Sequence, residues 1–230
     1  MLFKRRKKIK FIVTSGPTRE FVDPIRYLSN PSTGRMGYFI ARAAVNQGYK
    51  VVYICGPVNS HFRTVPSAKN VQITSTLDLL SAVQEEMRDD VVLVMAAAPA
   101  DYRPEKKYNH KLKKSDAPII KLIPNPDILK TIGEHVSDKK MQRVKLVGFA
   151  AETHNVEKFA RKKLIDKGLD MIFLNDVSAP KAGFGTDDNK LTVFFKDGRD
   201  EEWPHDSKER LGYRIVEQIE TEFFAGQSPG

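Results

Sequence analysis

From Arg26 to Gly37 the chain reads Arg-Tyr-Leu-Ser-Asn-Pro-Ser-Thr-Gly-Arg-Met-Gly, polar and small residues set where a strand hands over to a helix. Asn30 brings a neutral carboxamide that donates and accepts, Arg26 and Arg35 bring cations, and the first amides of the following helix add unpaired N–H groups. Residues of these kinds receive a phosphate or a carboxylate. Farther on, Lys111, Lys113 and Lys114 share one charged loop, while Lys163 and Lys167 stand four apart, on one face of a predicted helix. Like charges at that spacing repel. A solvated face tolerates this and a bound polyanion such as a triphosphate relieves it; Arg161 and Lys162 make the helix basic all round, as a merely solvated helix would be.

The elements that must hold these groups alternate. Ile9–Thr14, Lys50–Cys55, Val91–Ala97, Val144–Ala150 and Leu169–Leu174 are apolar, β-branched runs of strand length, with a short strand at Val71–Thr74. Helices are predicted from Met36 on, with Ser32 or Thr33 as cap and Gly48 as stop, and over Thr76–Met87 with an apolar stripe of Leu77, Leu79, Leu80 and Val83. Further helices are predicted over Pro126–His135, Asn155–Lys167 and Ser207–Phe223. Such alternation predicts an α/β, Rossmann-like fold: a mostly parallel sheet with helices on both faces. A late antiparallel hairpin is read at Lys190–Phe195, the turn Lys196-Asp197-Gly198, and Glu201–Trp203. Ligands of open α/β sheets gather at the carboxyl ends of strands. Here four such ends carry small and polar residues: the loop Gly16–Gly34, Ala96 to Pro104, Gly148 to Thr153, and Asn175 to Ser178. The first is far longer than a strand-to-helix connection requires, as expected of a working loop.

At 230 residues and 40% hydrophobic composition the chain suits one large domain. The expected organisation is a basic tail over 1–8, one α/β domain over 9–225 and a flexible tail over 226–230. Of the formal charge of +9, Lys4, Arg5, Arg6, Lys7, Lys8 and Lys10 supply six, leaving 9 − 6 = 3 for the body. A solvated tail therefore explains the charge better than a nucleic-acid surface. No apolar run reaches membrane-spanning length and no signal-peptide pattern opens the chain. The lone Cys55 excludes an internal disulfide and fits a reducing compartment, so a cytoplasmic location is expected. A hydride-transfer enzyme of this fold class needs a G-x-G-x-x-G turn and an acidic residue closing the second strand; here Gly16 is followed by Pro17, and the strand closes on Cys55-Gly56. P-loop spacing and zinc-type Cys/His clusters are also missing from the sequence.

One ordered set of motifs resembles a known family. Ser15-Gly16-Pro17-Thr18-Arg19-Glu20, Asp23 to Asn30 and Gly34-Arg35-Met36-Gly37 come first, followed by Ala100-Asp101-Tyr102-Arg103-Pro104 and Lys111-Leu112-Lys113-Lys114. Asn125-Pro126-Asp127-Ile128, Gly148 to Thr153 and Asn175-Asp176-Val177-Ser178 complete the set, which closely resembles the phosphopantothenoylcysteine synthetase family from the first strand to the final helix. That family joins 4′-phosphopantothenate to L-cysteine in coenzyme A biosynthesis. It transfers a nucleotidyl group to the carboxylate, with release of pyrophosphate, and the cysteine amine then displaces the nucleoside monophosphate. Bacterial members generally use CTP with Mg²⁺ and eukaryotic ones ATP; the segments at Gly148 and Lys111 look bacterial, so the resemblance implies CTP. Many bacteria place a flavin-dependent decarboxylase ahead of this ligase. Because the chain opens at the ligase portion, a stand-alone enzyme without flavin is expected. Members typically form homodimers, and the late hairpin is a candidate for pairing across subunits.

Carried over by position, the resemblance makes Asn30 the residue that holds the substrate carboxylate and stabilises the acyl-nucleotide, and Lys111 the cation at the triphosphate. Nucleotide contacts are implied for Met95, Ala96, Ala97, Asp101, Lys111, Pro126, Asp127, Ile128, Leu129, Phe149, Lys163 and Lys167. Arg26 either binds the substrate phosphate or frames Asn30. Metal ligands and the cysteine pocket stay unassigned. Pro99 stands where the family usually has valine, Arg35 where lysine is usual, and Phe21 where proline is frequent; Pro31 and Thr33 also alter the Asn30 loop. Two other classes remain open on sequence: a nucleotide-binding oxidoreductase, disfavoured by the absent glycine fingerprint, and a regulatory nucleotide-binding protein without catalysis, kept open by Pro99.

Overall fold

The computed structural model describes residues 9–114, 119–152, 156–176 and 188–224. Its centre is an eight-stranded sheet in the order β13-β12-β10-β9-β6-β1-β4-β5. Six strands run parallel: β1 (Lys10–Ser15), β4 (Lys50–Cys55), β5 (Lys69–Gln72), β6 (Val91–Met95), β9 (Val144–Glu152) and β10 (Met171–Asp176). The expected hairpin is present as β12 (Leu191–Phe195) and β13 (Asp200–Glu202), and it continues the sheet antiparallel from β10. The fold is therefore the mixed α/β class read from the sequence. The terminal tails expected at 1–8 and 226–230 lie outside the described residues.

The helices are α1 (Arg35–Asn46), α2 (Thr76–Glu86), α3 (Ile128–Asp138), α4 (Val156–Asp166) and α5 (Lys208–Phe224). Strand alternation divides the core. Phe11 and Val13 of β1 face α1 and α5, whereas Ile12 faces the side of α2, α3 and α4. The apolar strand runs follow from this covering of both faces. The connections β1–α1–β4 lead one way from β1 and the chain then returns to place β6 on its other side, so the loops after β1 and β6 diverge at a switch point.

Several local expectations are revised. The residue capping α1 is Gly34 rather than Ser32 or Thr33: it takes a left-handed conformation (φ 75°), and no side chain caps the helix. Ser15 Oγ donates to the Gly34 carbonyl at 2.7 Å, and a Cβ at Gly34 would lie 2.8 Å from Val58 Cγ1, so conformation and space both select glycine. In α2, Ser75 and Asp78 form a capping box, but Leu77 points outward at 47% exposure, and Ala82 joins Leu79 and Val83 on the buried stripe. The predicted strand at Val71–Thr74 is displaced to β5. Three short ribbons escape sequence patterning: β2 (Glu20–Phe21) with β3 (Tyr27–Leu28), β7 (Tyr102–Pro104) with β8 (Leu122–Pro124), and β11 (Asp188–Asn189) with β14 (Asp206–Ser207). Strands of two or three residues are too short to show a period.

Candidate functional site

Beyond their last ladder residues, β1 and β6 remain stitched together. Ala97 N donates to Thr14 Oγ1 at 3.1 Å, Ala98 N to the Gly16 carbonyl at 2.9 Å, and Ala100 N to Thr18 Oγ1 at 2.9 Å. Pro99 has no N–H to spend in this series, and its carbonyl instead accepts the Asn30 carboxamide, Nδ2 to O 2.9 Å. Half-buried Asn30 is thus fixed across the switch point by the neighbouring loop. The same nitrogen lies 3.5 Å from the Ala98 carbonyl, at the limit of a hydrogen bond, so its second hydrogen is weakly engaged and can turn to an incoming oxygen.

A buried polar network braces these loops from behind. Glu20, 4% exposed, accepts from Thr76 N and Thr76 Oγ1, each at 2.8 Å, placing a carboxylate at the start of α2 where the helix dipole favours it. Thr18 Oγ1 lies 3.0 Å from Thr76 Oγ1, and Asn125 Nδ2 donates to the Ala100 carbonyl at 2.8 Å and to Thr76 Oγ1 at 3.2 Å. The motif residues Thr18, Glu20 and Asn125 therefore act as scaffold for the loop that carries Asp101.

These loops frame a cleft of about 260 Å³. Asn30 and the start of α1, including Arg35, form one wall; Ala96, Ala97 and Asp101 follow β6; Phe149 and Ala150 follow β9; and Lys163 reaches in from α4. Phe149 lies over Phe173, with ring centroids 5.3 Å apart and planes at 30°, so it is at once partly core and part of the wall. The far wall holds Asn175, Asn189 and Lys208.

Other expected site residues lie off the lining. Met95 is buried beneath the loop, where its sulfur accepts from Thr14 Oγ1 at 3.2 Å, and Ile128 and Leu129 are core residues of α3. Pro126 precedes Asp127, which caps α3 by accepting from Lys130 N at 3.1 Å. Asp127 also binds Lys167 Nζ at 2.8 Å. Burial opposes ionisation of Asp127, but the Lys167 ammonium and the Lys130 amide outweigh it and hold the carboxyl below its ordinary range. The lysine pair thus separates: Lys167, just past the end of α4, turns to Asp127, while Lys163 enters the cleft.

Arg26 and Lys111 belong to a second knot. Fully buried Asp23 accepts from Ile25 N at 2.9 Å, Arg26 N at 2.8 Å, Leu112 N at 3.2 Å and Arg26 Nη1 at 3.2 Å. Burial raises its pKa, yet these amides and the guanidinium prevail, and the carboxyl titrates below its ordinary value. Arg26 Nη2 also reaches the Leu112 carbonyl at 3.3 Å. Lys111 is exposed beside buried Leu112 and lies outside the cleft lining.

The residues that sequence reasoning missed are Asn189 and Lys208. Lys208 falls inside the helix predicted over Ser207–Phe223 and Asn189 just before the predicted hairpin, so only the β11–β14 ribbon brings these lining residues together. Among the described residues no group of three His, Cys, Asp or Glu side chains forms a metal cage. Asp101 is the carboxylate on the cleft lining. Such a donor set fits Mg²⁺, which takes one or two carboxylates and draws its other ligands from substrate phosphates and water. No helix among the described residues is long and apolar enough to cross a membrane.

Comparison with known proteins agrees with this geometry. Residues 6–223 match the family described as DNA/pantothenate metabolism flavoprotein C-terminal domain. The chain is 43% identical over 209 residues to the coenzyme A biosynthesis bifunctional protein CoaBC of Bacillus subtilis (strain 168), covering 90% of this chain and 50% of the relative. It is 41% identical over 221 residues to CoaBC of Escherichia coli (strain K12), covering 94% and 53%. The chain thus spans about half the length of the curated relatives it matches. Among solved structures, the C-terminal domain of CoaBC superposes with TM-score 0.76 at 38% identity, covering 94% of this chain and 95% of that one. The DNA/pantothenate metabolism flavoprotein from Streptococcus pneumoniae gives 0.74 at 25% identity, covering 93% and 99%.

Proposed function

The chain belongs to the DNA/pantothenate metabolism flavoprotein C-terminal domain family, and from that premise we propose that it is a phosphopantothenate–cysteine ligase of coenzyme A biosynthesis, driven by CTP. The observation that carries the reading is the Asn30 carboxamide, held at 2.9 Å by the Pro99 carbonyl at the switch point of a cleft that also contains Asp101 and Lys163.

A carboxylate and an amine do not condense unaided, because the carboxylate is a poor electrophile and oxide a poor leaving group. In the first half of the reaction, a carboxylate oxygen of 4′-phosphopantothenate attacks the α-phosphorus of CTP; the bond to the β-phosphate oxygen breaks and pyrophosphate leaves. In the second half, the cysteine amine attacks the acyl carbon, the C–N bond forms, CMP departs with the electron pair of the C–O bond, and the amine gives up a proton. Asn30 orients the acid and donates to oxygen where charge develops in both halves. A neutral amide suits this work, since it neither repels the entering carboxylate nor competes with it for the nucleotide.

Lys163 inside the cleft and, by the family resemblance, Lys111 serve the polyphosphate, with Asp127 and Lys167 bracing each other at the start of α3. Ala96 and Ala97 leave room for backbone contact with the nucleotide, Phe149 packs on the base, and Asp101 holds Mg²⁺. When bound, Mg²⁺ supplies charge neutralisation on the phosphate oxygens. Arg26, already committed to Asp23 and the Leu112 carbonyl, frames the loop rather than binding phosphate. We also propose a cytoplasmic homodimer, on the cysteine usage and the family resemblance.

The test is pyrophosphate release that requires both CTP and 4′-phosphopantothenate, followed by CMP formation on addition of cysteine. Chelation of Mg²⁺ is expected to abolish both. Absence of turnover with either CTP or ATP overturns the assignment, and nucleotide binding without pyrophosphate release identifies a binding protein instead.

A further inference from the structure

The carboxamide of Asn30 has a donor end and an acceptor end of nearly the same shape, so a group outside the side chain must decide which of them meets a carboxylate. The Pro99 carbonyl does so by taking Nδ2 at 2.9 Å. The direction of that carbonyl is set in turn. In a trans peptide the C=O and the N–H point opposite ways, and the N–H of the Pro99–Ala100 peptide donates to Thr18 Oγ1 at 2.9 Å. Anchoring Ala100 N therefore aims the Pro99 oxygen at Asn30. The proline ring locks φ of residue 99, which leaves one fewer torsion by which the peptide could tip.

Thr18 is fully buried, and its hydroxyl is one link in a longer chain. Thr76 has a single hydroxyl proton and gives it to Glu20 Oε1 at 2.8 Å, so at the 3.0 Å contact between the two hydroxyls Thr18 donates and Thr76 accepts. The lone pairs of Thr18 Oγ1 are then open to Ala100 N. Every donor in the series Asn30, Ala100, Thr18, Thr76 points the same way, toward a buried carboxylate, an arrangement in which successive hydrogen bonds strengthen one another. Thr18 also acts through its backbone: its carbonyl accepts from Ser29 Oγ at 2.7 Å, one residue before Asn30. A single buried residue thus grips the chain ahead of Asn30 and aims the acceptor of its side chain.

Resting on the ligase reading, in which Asn30 donates to the reacting oxygens, we propose that Thr18 is a positioning residue for Asn30, acting through the Pro99–Ala100 peptide. A flipped carboxamide would set Oδ1 against the Pro99 oxygen, two acceptors with no hydrogen between them. While the peptide is held, that orientation is disfavoured and the second hydrogen of Nδ2 is kept for the substrate. Without the Thr18 hydroxyl the peptide can turn, and both orientations of the carboxamide are populated; one of them meets an entering carboxylate with an oxygen. Asp101 is spared, because Asn125 N still donates to its carbonyl at 2.8 Å and Asn125 Nδ2 to the Ala100 carbonyl at 2.8 Å. The Thr18 hydroxyl therefore serves the chemistry at Asn30 rather than the binding of the nucleotide.

Thr18→Val keeps the shape of the side chain and removes the hydroxyl. In the full chain its kcat for pyrophosphate release is expected to fall about tenfold, the worth of one such hydrogen bond, with KM for CTP within about twofold. Thr18→Ser should recover most of the rate. In an Asn30→Ala background Thr18→Val should cost nothing further in kcat, since nothing is left for it to position. In proton–nitrogen NMR spectra the side-chain amide pair of Asn30, identified by its loss in Asn30→Ala, should move and exchange with solvent faster in Thr18→Val, but not in Thr18→Ser. An unchanged kcat, an equal further loss in the Asn30→Ala background, or a change confined to KM for CTP overturns the assignment. Should Thr18→Val not fold, Pro99→Gly decides, because it loosens the same peptide: a lowered kcat with a shifted Asn30 amide pair supports the role, and an unaltered kcat and amide pair overturn it. If the unmodified chain releases no pyrophosphate, the ligase reading falls; if it ligates normally and Thr18→Val keeps its kcat, only the positioning role falls.

Discussion

The two walls of the cleft are built in different ways. On the near wall, Asn30 and Asp101 sit on loops that continue adjacent parallel strands, tied by Thr14, Thr18 and the Pro99 carbonyl. On the far wall, Asn189 and Lys208 depend on a two-residue ribbon and on how closely α5 approaches α1. Strand-end residues, Asn175 of the far wall included, inherit the rigidity of the sheet, whereas Asn189 and Lys208 are only as well placed as a short ribbon and the packing of α5. Substitutions in the two regions are therefore expected to differ, those on the near wall striking the chemistry directly and those around α5 acting through the placement of a helix.

The largest effect belongs to the near wall. Asn30→Ala should reduce kcat by about 10²–10³-fold, the range for loss of one donor aimed at developing negative charge, with little change in melting temperature. Quenched-flow analysis should show the loss in acyl-nucleotide formation or decay, and near-normal turnover would dismiss Asn30 from the chemistry. Behind it, Thr76→Val leaves Glu20, Thr18 and Asn125 short of a partner they now share. A buried group deprived in this way costs about 1–3 kcal/mol. Urea unfolding should register that loss, and KM for the nucleotide should rise.

Gly212→Ala probes the far wall by the opposite route. The added methyl meets the Phe39 backbone, which cannot swing aside as a side chain would, so overpacking of about 1–3 kcal/mol is expected. A lowered urea midpoint should register that loss, and because α5 carries Lys208 on the cleft lining, kcat/KM should fall with it. A Gly212→Ala chain with an unchanged urea midpoint would show that the contact with the Phe39 backbone does not hold α5 in place.

The same contrast governs what the sequence made visible. The strands beneath the site were readable because a sheet covered on both faces needs unbroken apolar runs, and the near-wall residues stood in contiguous polar stretches at strand ends. Even there the α1 cap was misplaced, since the left-handed geometry of Gly34 is imposed by Ser15 and by the closeness of Val58, both remote in sequence. On the far wall Asn175 stood in a readable strand end, but Asn189 and Lys208 offered no local signal: Asn and Lys are ordinarily exposed types, and neither borders a motif of its own. Lys163 and Lys167 carried the right spacing, but only the position of Asp127 sends one inward and holds the other outside.

The smallest expected effect concerns the knot beside the near wall, and it is read in pH rather than rate. Asp23 accepts three backbone amides and the Arg26 guanidinium, so its pKa in the folded chain is lower than in the unfolded chain. A carboxyl shifted in that direction contributes stability at pH values above its unfolded pKa of about 3.9, and loses it as pH falls through the lower, folded value. Asp23→Asn should therefore be less stable than the unmodified chain at neutral pH, with the gap closing once the solution is acidic enough to protonate Asp23. Asp127→Asn should show the same sign with a smaller gap, because its ion pair with Lys167 is partly solvated. Urea midpoints measured from neutral pH to about pH 3 decide the matter: a gap for Asp23→Asn that does not narrow on acidification means that the ionised carboxylate is not what joins the Arg26 turn to Leu112. In that case Leu112, and Lys111 beside it, is held against the Arg26 turn by packing alone.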